Sequence, residues 1–200
     1  MTDSAGTNEL RAFRTALRNR LIAAREALPA EQHAELSRHI ERHLDALVDA
    51  LRPAVLAFCW PFRAEFDARP LVAQRIARGL QACLPVVTDS NSPLEFRAWA
   101  PESEMIEDRY GIHIPARGER LQPDVILMPL NAFEAAGYRL GYGGGYFDRT
   151  LDTLEPRPIA VGVGFELARV DTIRPQHYDR PMDWLVTETG ARQTTSSRSV

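Results

Sequence analysis

The sequence predicts a layered α/β domain with a mostly parallel, Rossmann-like sheet flanked by helices and preceded by two N-terminal helices. Four apolar runs, 54–60 (AVLAFCW), 82–87 (ACLPVV), 125–130 (VILMPL) and 159–165 (IAVGVGF), lack polar alternation and read as strands buried on both faces. A segment with helical spacing joins the first two runs, which is the signature of a parallel crossover. Amphipathic patterning at the start of the chain supplies helices to cover the sheet.

Taken in order, residues 10–28 carry Leu10, Phe13, Leu17, Leu21 and Ala24 at helical spacing, with Arg11, Arg14, Arg18, Arg20 and Arg25 between them. Pro29 suits the first turn of a second helix, which runs through Leu36, Ile40, Leu44 and Leu47 to Leu51 and stops before Pro53. Residues 68–79 (ARPLVAQRIARG) form the crossover helix and end on Gly79. Shorter strands are expected at 94–99 and 184–187. Residues 9–190 then make a single domain, with the small and polar stretches 1–8 and 191–200 as flexible ends.

A chain of 200 residues can bury one substantial core, and a formal charge of −3 with 44% hydrophobic residues excludes disorder and gives no general attraction to nucleic acid. The arginine-rich opening helix has acids nearby and lacks the stacking aromatics of RNA readers. Lysine is absent, so neither a Walker A lysine nor a Schiff base is available, and cationic contacts to phosphate fall to arginine or histidine. Cys59 and Cys83 sit in apolar runs as reduced, buried thiols, with no disulfide framework or zinc spacing. The amino terminus lacks the basic and apolar regions of a secretory signal, and no run approaches membrane-spanning length, so a cytoplasmic location is expected.

The strand at 125–130 leads through a turn into Gly141, Gly143, Gly144 and Gly145 and then a helix from about Tyr146. Strand, glycines, helix is a phosphate-binding order, because backbone N–H groups converge on an anion without side-chain obstruction. The spacing is G-x-G-G-G and not G-x-G-x-x-G, so hydride transfer to a dinucleotide is not supported. Asp148, just past the glycines, would repel a bare phosphate and so implies a bridging Mg2+; alternatively it complements the helix dipole, worth about 0.3–1 kcal/mol. Arg139 immediately before the glycines either clamps phosphate oxygens through its planar fork or is a solvated loop arginine. His113 and His177 are read as loop histidines without a catalytic role.

The stretch RLGYGGGYFDR closely resembles the RLGxGxGYYDR signature of the 5-formyltetrahydrofolate cyclo-ligase family, also called methenyltetrahydrofolate synthetases. The similarity extends to PDVILMPLNAF, EFDARPL, HYDRPMDWLVTE and the arginine-rich opening helix, over about residues 10–190. The resemblance implies an enzyme whose substrates are 5-formyltetrahydrofolate and ATP, acting as a monomer. The formyl oxygen takes the γ-phosphoryl group, N10 attacks, and phosphate leaves as the ring closes. By position, Arg139, Leu140, Gly141, Tyr142, Gly143, Gly144, Gly145, Tyr146 and Phe147 would cradle ATP, with Arg139 and Tyr146 at the chemistry and residues 142–146 also facing the folate. Asp148 and Asp179 would hold Mg2+. Arg14 matches a family arginine that reaches ATP phosphate, while the family lysine one turn earlier falls on Leu10, leaving Arg11 as a substitute. Glu65 matches a folate-contacting glutamate. The stretch CWPFRAE is one residue longer than the family pattern, so the neighbouring substrate position is Cys59 or Trp60, with Trp60 preferred. Tyr110 falls where the family sets an aromatic residue beside the folate, a packed core tyrosine being the other reading. Ile114 stands where the family often has an acid.

Overall fold

The computed structural model describes residues 3–195. Helix α1 (Asp3–Glu26) begins well before the expected Leu10, because residues 3–9 contain no proline and a helix, once nucleated, extends at one hydrogen bond per residue fixed, which carries it through Gly6. The expected flexible end at 1–8 is therefore helical from residue 3 onward. Helix α2 (Ala30–Leu51) takes Pro29 as its cap residue and ends on Arg52 in the left-handed region, φ 48°, immediately before Pro53.

Each apolar run supplies a strand, shorter than the run except at β2, which starts one residue earlier: β1 (Val55–Ala57), β2 (Gln81–Val86), β6 (Val125–Pro129) and β9 (Ile159–Val163). The crossover helix α3 (Arg69–Ile76) joins β1 to β2. Strand β3 (Glu95–Ala98) lies antiparallel to β2, and helix α4 (Tyr146–Thr153) connects β6 to β9. Strand β10 (Trp184–Thr187) runs parallel to β9. Two hairpins stand outside the main sheet: β4 (Met105–Glu107) with β5 (His113–Pro115), and β7 (Ala132–Phe133) with β8 (Arg139–Leu140).

Residues 191–200 were expected to be a flexible end, but β11 (Gly190–Gln193) pairs antiparallel with β10, and Thr194 is buried with its hydroxyl donating to Met182 O. An edge strand is held by its ladder and needs no apolar face, so its composition carries little signal. The expectation of flexible ends at 1–2 and 196–200 falls outside the described residues.

The seven-stranded sheet has the order β11-β10-β9-β6-β1-β2-β3, parallel throughout except at its two outermost pairs. Both faces are covered. Along β6, Val125 and Leu127 join the cluster under α2 and α3 that contains Ile40, Leu44, Leu71 and Val72, while Ile126 and Met128 join the opposite cluster with Leu151 of α4. A third cluster docks α1 through Leu17 and Leu21 onto Ala132, Leu140 and Ile173, fixing the helix against the β7–β8 hairpin. From β1 the chain goes to β2 on one side, and later returns through β6 and β9 on the other. The reversal opens a crevice beyond the carboxyl ends of β1 and β6, where ligands of such sheets bind. No described helix is long and apolar enough to cross a membrane.

Candidate active site

The glycine loop is delivered to this crevice by the β7–β8 hairpin. Its turn requires Gly137, with φ 96° and a position where a Cβ would lie 2.7 Å from Met182 O. Arg139 and Leu140 follow, then the exposed Gly143 and Gly145 at φ 101° and 65°, and Gly145 caps α4. Leu140 is buried in the α1 cluster, so it can offer a nucleotide only its backbone. Phe147 packs on the core and lies 5.4 Å from the Arg139 guanidinium carbon, ring centroid to cation.

Arg139 is 7% exposed, and its Nε and Nη2 are buried with no hydrogen-bond partner. Asp148 Oδ1 stands 3.9 Å from Nη2, beyond hydrogen-bond reach. A buried cation with open donors beside a glycine loop excludes the solvated-arginine reading and calls for an anionic ligand. Arg18 approaches the same loop from α1: its Nε donates to Gly141 O at 2.6 Å, and a Cβ on Gly143 would lie 3.5 Å from its Nη2. Burial and, secondarily, the charge of Arg14 pull the Arg18 pKa below its usual value, the state of a cation short of negative charge.

Sequence reasoning missed Arg18, although its i, i+4 spacing from Arg14 put both on one face of α1. The α1 cation that contacts the loop is Arg18, one turn after Arg14, and Leu10 is replaced there by no other cation of its own turn. Arg11 lies one turn further out and is exposed, away from the loop contacts made by Arg18. Arg14 pairs with Asp179 and donates through Nε to Ile173 O at 3.1 Å.

The acids differ in their surroundings. Asp148, in the first turn of α4, makes no cap to that helix and accepts instead from Arg180 N at 3.1 Å. Asp179, the other expected Mg2+ ligand, accepts from Arg14 and from Gln176 N at 2.6 Å. Among the described residues no group of three or more metal-binding side chains occurs.

On the opposite lip, Arg63 and Ala64 take φ of 50° and 56° in the loop after β1, and this tight turn folds Glu65 back into the crevice. Glu65 is 8% exposed; it accepts from Phe62 N at 3.1 Å and from the Tyr142 hydroxyl at 2.7 Å, with Arg25 Nη2 at 3.8 Å. Burial raises its pKa, opposed by the Tyr142 hydrogen bond, the Arg25 charge and the Phe62 N–H. The Tyr142 ring is exposed while its hydroxyl turns in to Glu65; burial and that carboxylate push the hydroxyl pKa up, so it remains a donor. Phe58, Cys59, Glu65, Phe66 and Leu127 border a cavity of about 30 Å³, room for about one water.

Cys59, not the preferred Trp60, borders Glu65 there. Trp60 stacks on His113 at 5.3 Å between centroids, with the Arg69 guanidinium 4.3 Å from its ring. Burial raises the Cys59 pKa well above the usual thiol value and pushes that of Cys83 up to about 12, which removes both as nucleophiles at neutral pH. Tyr110, in the turn of the β4–β5 hairpin, is 49% exposed, so the core reading is overturned; its hydroxyl is 2.9 Å from that of Tyr146. The site thus joins a cation-lined glycine loop, a buried carboxylate and an aromatic pair at one sheet opening.

A family model described as the 5-formyltetrahydrofolate cyclo-ligase family matches residues 11–188. A 5-formyltetrahydrofolate cyclo-ligase of Escherichia coli is 31% identical over 170 residues, covering 82% of this chain and 93% of that protein. One of Haemophilus influenzae is 28% identical over 134 residues, covering 64% and 72%. Among solved structures, a 5,10-methenyltetrahydrofolate synthetase of Aquifex aeolicus superposes with a TM-score of 0.78 at 29% identity, covering 94% of this chain and 95% of that one. One of Mycoplasma pneumoniae superposes at 0.71 with 22% identity, covering 88% and 98%, a likeness of fold.

Proposed function

The chain belongs to the 5-formyltetrahydrofolate cyclo-ligase family, and from that membership we propose that it uses ATP and Mg2+ to close 5-formyltetrahydrofolate into 5,10-methenyltetrahydrofolate. The observation that carries the nucleotide half is the buried Arg139, whose two unpartnered donors stand behind an exposed glycine loop flanked by Arg18. The folate half is supported by Glu65, a buried acceptor suited to the N–H donors of an aminopyrimidinone edge.

The formyl oxygen on N5 attacks the γ-phosphorus and ADP departs. N10 then adds to the formyl carbon, and its proton and the phosphate leave as the methenyl bridge forms. An amide-like oxygen is a poor leaving group until phosphorylated, and no covalent protein nucleophile is needed. Arg139, Arg14 and Arg18 bind and orient phosphate oxygens, with Asp179 holding Arg14 in line. Tyr142 and Tyr146 lie between the phosphates and the folate, and the Tyr110–Tyr146 pair offers ring faces at the mouth of the crevice.

Mg2+ needs only one or two carboxylates when substrate phosphates and water complete its shell, so the donor set fits with Asp148 as the ligand the protein supplies. Its chemistry there is to neutralise charge shared between the phosphates. The test mixes protein, Mg-ATP and 5-formyltetrahydrofolate and follows the near-ultraviolet absorbance of methenyltetrahydrofolate, with Asp148→Asn as the impaired control. Absorbance that fails to rise with the wild type overturns the assignment.

A further inference from the structure

We propose that Arg25 is a positioning residue for substrate recognition, whose buried guanidinium favours the carboxylate form of Glu65 and aims it into the crevice. The proposal rests on the reading of Glu65 as the acceptor for the folate ring.

The arginines along α1 divide in two by what they touch. Arg18 bonds to the glycine loop and Arg14 to Asp179 and Ile173 O, but Arg25, two turns beyond Arg18, is 4% exposed and reaches neither the loop glycines nor Asp148. Its Nε donates to Arg63 O at 3.0 Å, and Nη1 donates to Leu130 O at 3.3 Å and Asn131 Oδ1 at 3.0 Å. Nη2 donates to the Tyr142 hydroxyl at 3.4 Å and lies 3.8 Å from Glu65 Oε1. Arg63 and Glu65 follow β1, while Leu130 and Asn131 follow β6. A single planar fork therefore spans both lips of the switch-point crevice, and its remaining edge faces the carboxylate.

The charge matters because the carboxylate is enclosed. The groups facing Glu65 are Arg25 from α1, Tyr142 from the glycine loop, Cys59 at the exit of β1 and, in its own turn, Phe62 N; Arg139 adds positive charge across Cys59, and His33 of α2 holds the adjoining Ala64 O at 3.0 Å. Of the cations among these, Arg25 is the one paired with Glu65. Remove it and burial favours the neutral acid. A protonated carboxyl presents a donor where the carboxylate had two acceptors, so it no longer matches a ligand edge made of N–H donors. A neighbouring guanidinium thus converts into affinity for the folate without touching it.

The test is calorimetric titration of 5-formyltetrahydrofolate, without nucleotide, from pH 6 to 9 into wild type, Arg25→Gln, Arg25→Lys and Glu65→Gln, beside titration of Mg-ATP. We expect Arg25→Gln to weaken 5-formyltetrahydrofolate binding by about tenfold or more at neutral pH, corresponding to about one unit of alkaline displacement in the acid fall-off. That loss should recover toward pH 9, while the Mg-ATP Kd stays within about twofold. Arg25→Lys keeps the charge and should follow the wild-type profile more closely, and Glu65→Gln should bind weakly at every pH. An Arg25→Gln loss equal at all pH values, or shared with Mg-ATP, overturns the proposal as a merely structural effect. If Arg25→Gln does not fold, the carbon-13 carboxyl resonance of Glu65 decides. It should titrate higher in Arg25→Met or Arg25→Ser than in Arg25→Lys, and equal titration overturns the role. Wild type that binds no 5-formyltetrahydrofolate overturns the functional reading instead.

Discussion

At the scale of the residue, the site holds groups in states that cost stability and make sense with ligand bound. Arg139 is buried with two donors unmatched, so Arg139→Met should raise the melting temperature or leave it unchanged while weakening ATP. Lost charge-assisted hydrogen bonds of about 1.5–3 kcal/mol correspond to a decrease of about 10–100-fold in kcat/KM for ATP. Thermal unfolding beside steady-state kinetics checks both signs. Glu65 gives a pH signature. Its folded pKa is raised by burial, so the native state holds the proton more tightly than the unfolded chain, and stability falls as pH rises from the ordinary glutamate range through the raised value. Glu65→Gln should flatten that slope in denaturant titrations run across the window. Arg139 and Asp148 stood out beside the glycine run, Glu65 and Tyr110 only through the family resemblance, and Arg18 and Arg25 were not singled out among five interleaved arginines. Patterning says which face a side chain is on, whereas burial against a loop over a hundred residues away is a tertiary fact.

At the scale of the element, two glycines separate scaffold from chemistry. Gly137→Ala would force a left-handed φ of 96° on alanine and set its Cβ 2.7 Å from a backbone oxygen, so it should cost about 1–3 kcal/mol and lower the melting temperature. Gly144→Ala would set a Cβ 2.6 Å from the Tyr146 ring in an exposed loop, so turnover should drop with the melting temperature nearly unchanged. Differential scanning fluorimetry and the absorbance assay on both variants test this division. The long apolar runs and amphipathic helices announced themselves because burial on two faces or one stripe leaves a period in the sequence. The short hairpins β4–β5 and β7–β8, and the edge strand β11, left almost none, since two to four residues held by backbone ladders need no special composition.

At the scale of the whole molecule, the parallel order legible from the sequence implied a crevice at the sheet's carboxyl edge, but not which strands border it. The reversal between β1 and β6 brings Glu65 and the glycine loop to the same opening, and α1 closes one side. Ligand should stabilise this assembly: Mg-ATP at about a hundred times its Kd adds about 2.7 kcal/mol, a rise of roughly 5–11 °C for a chain of this size. Asp148→Asn should lose most of the Mg2+-dependent part of that rise. The central claim is that the formyl oxygen itself is phosphorylated on the way to ring closure. Its most direct test uses 5-formyltetrahydrofolate labelled with oxygen-18 in the formyl group, followed by mass analysis of the released phosphate. One labelled oxygen per phosphate is the predicted result; label released into water, with unlabelled phosphate, would contradict the account.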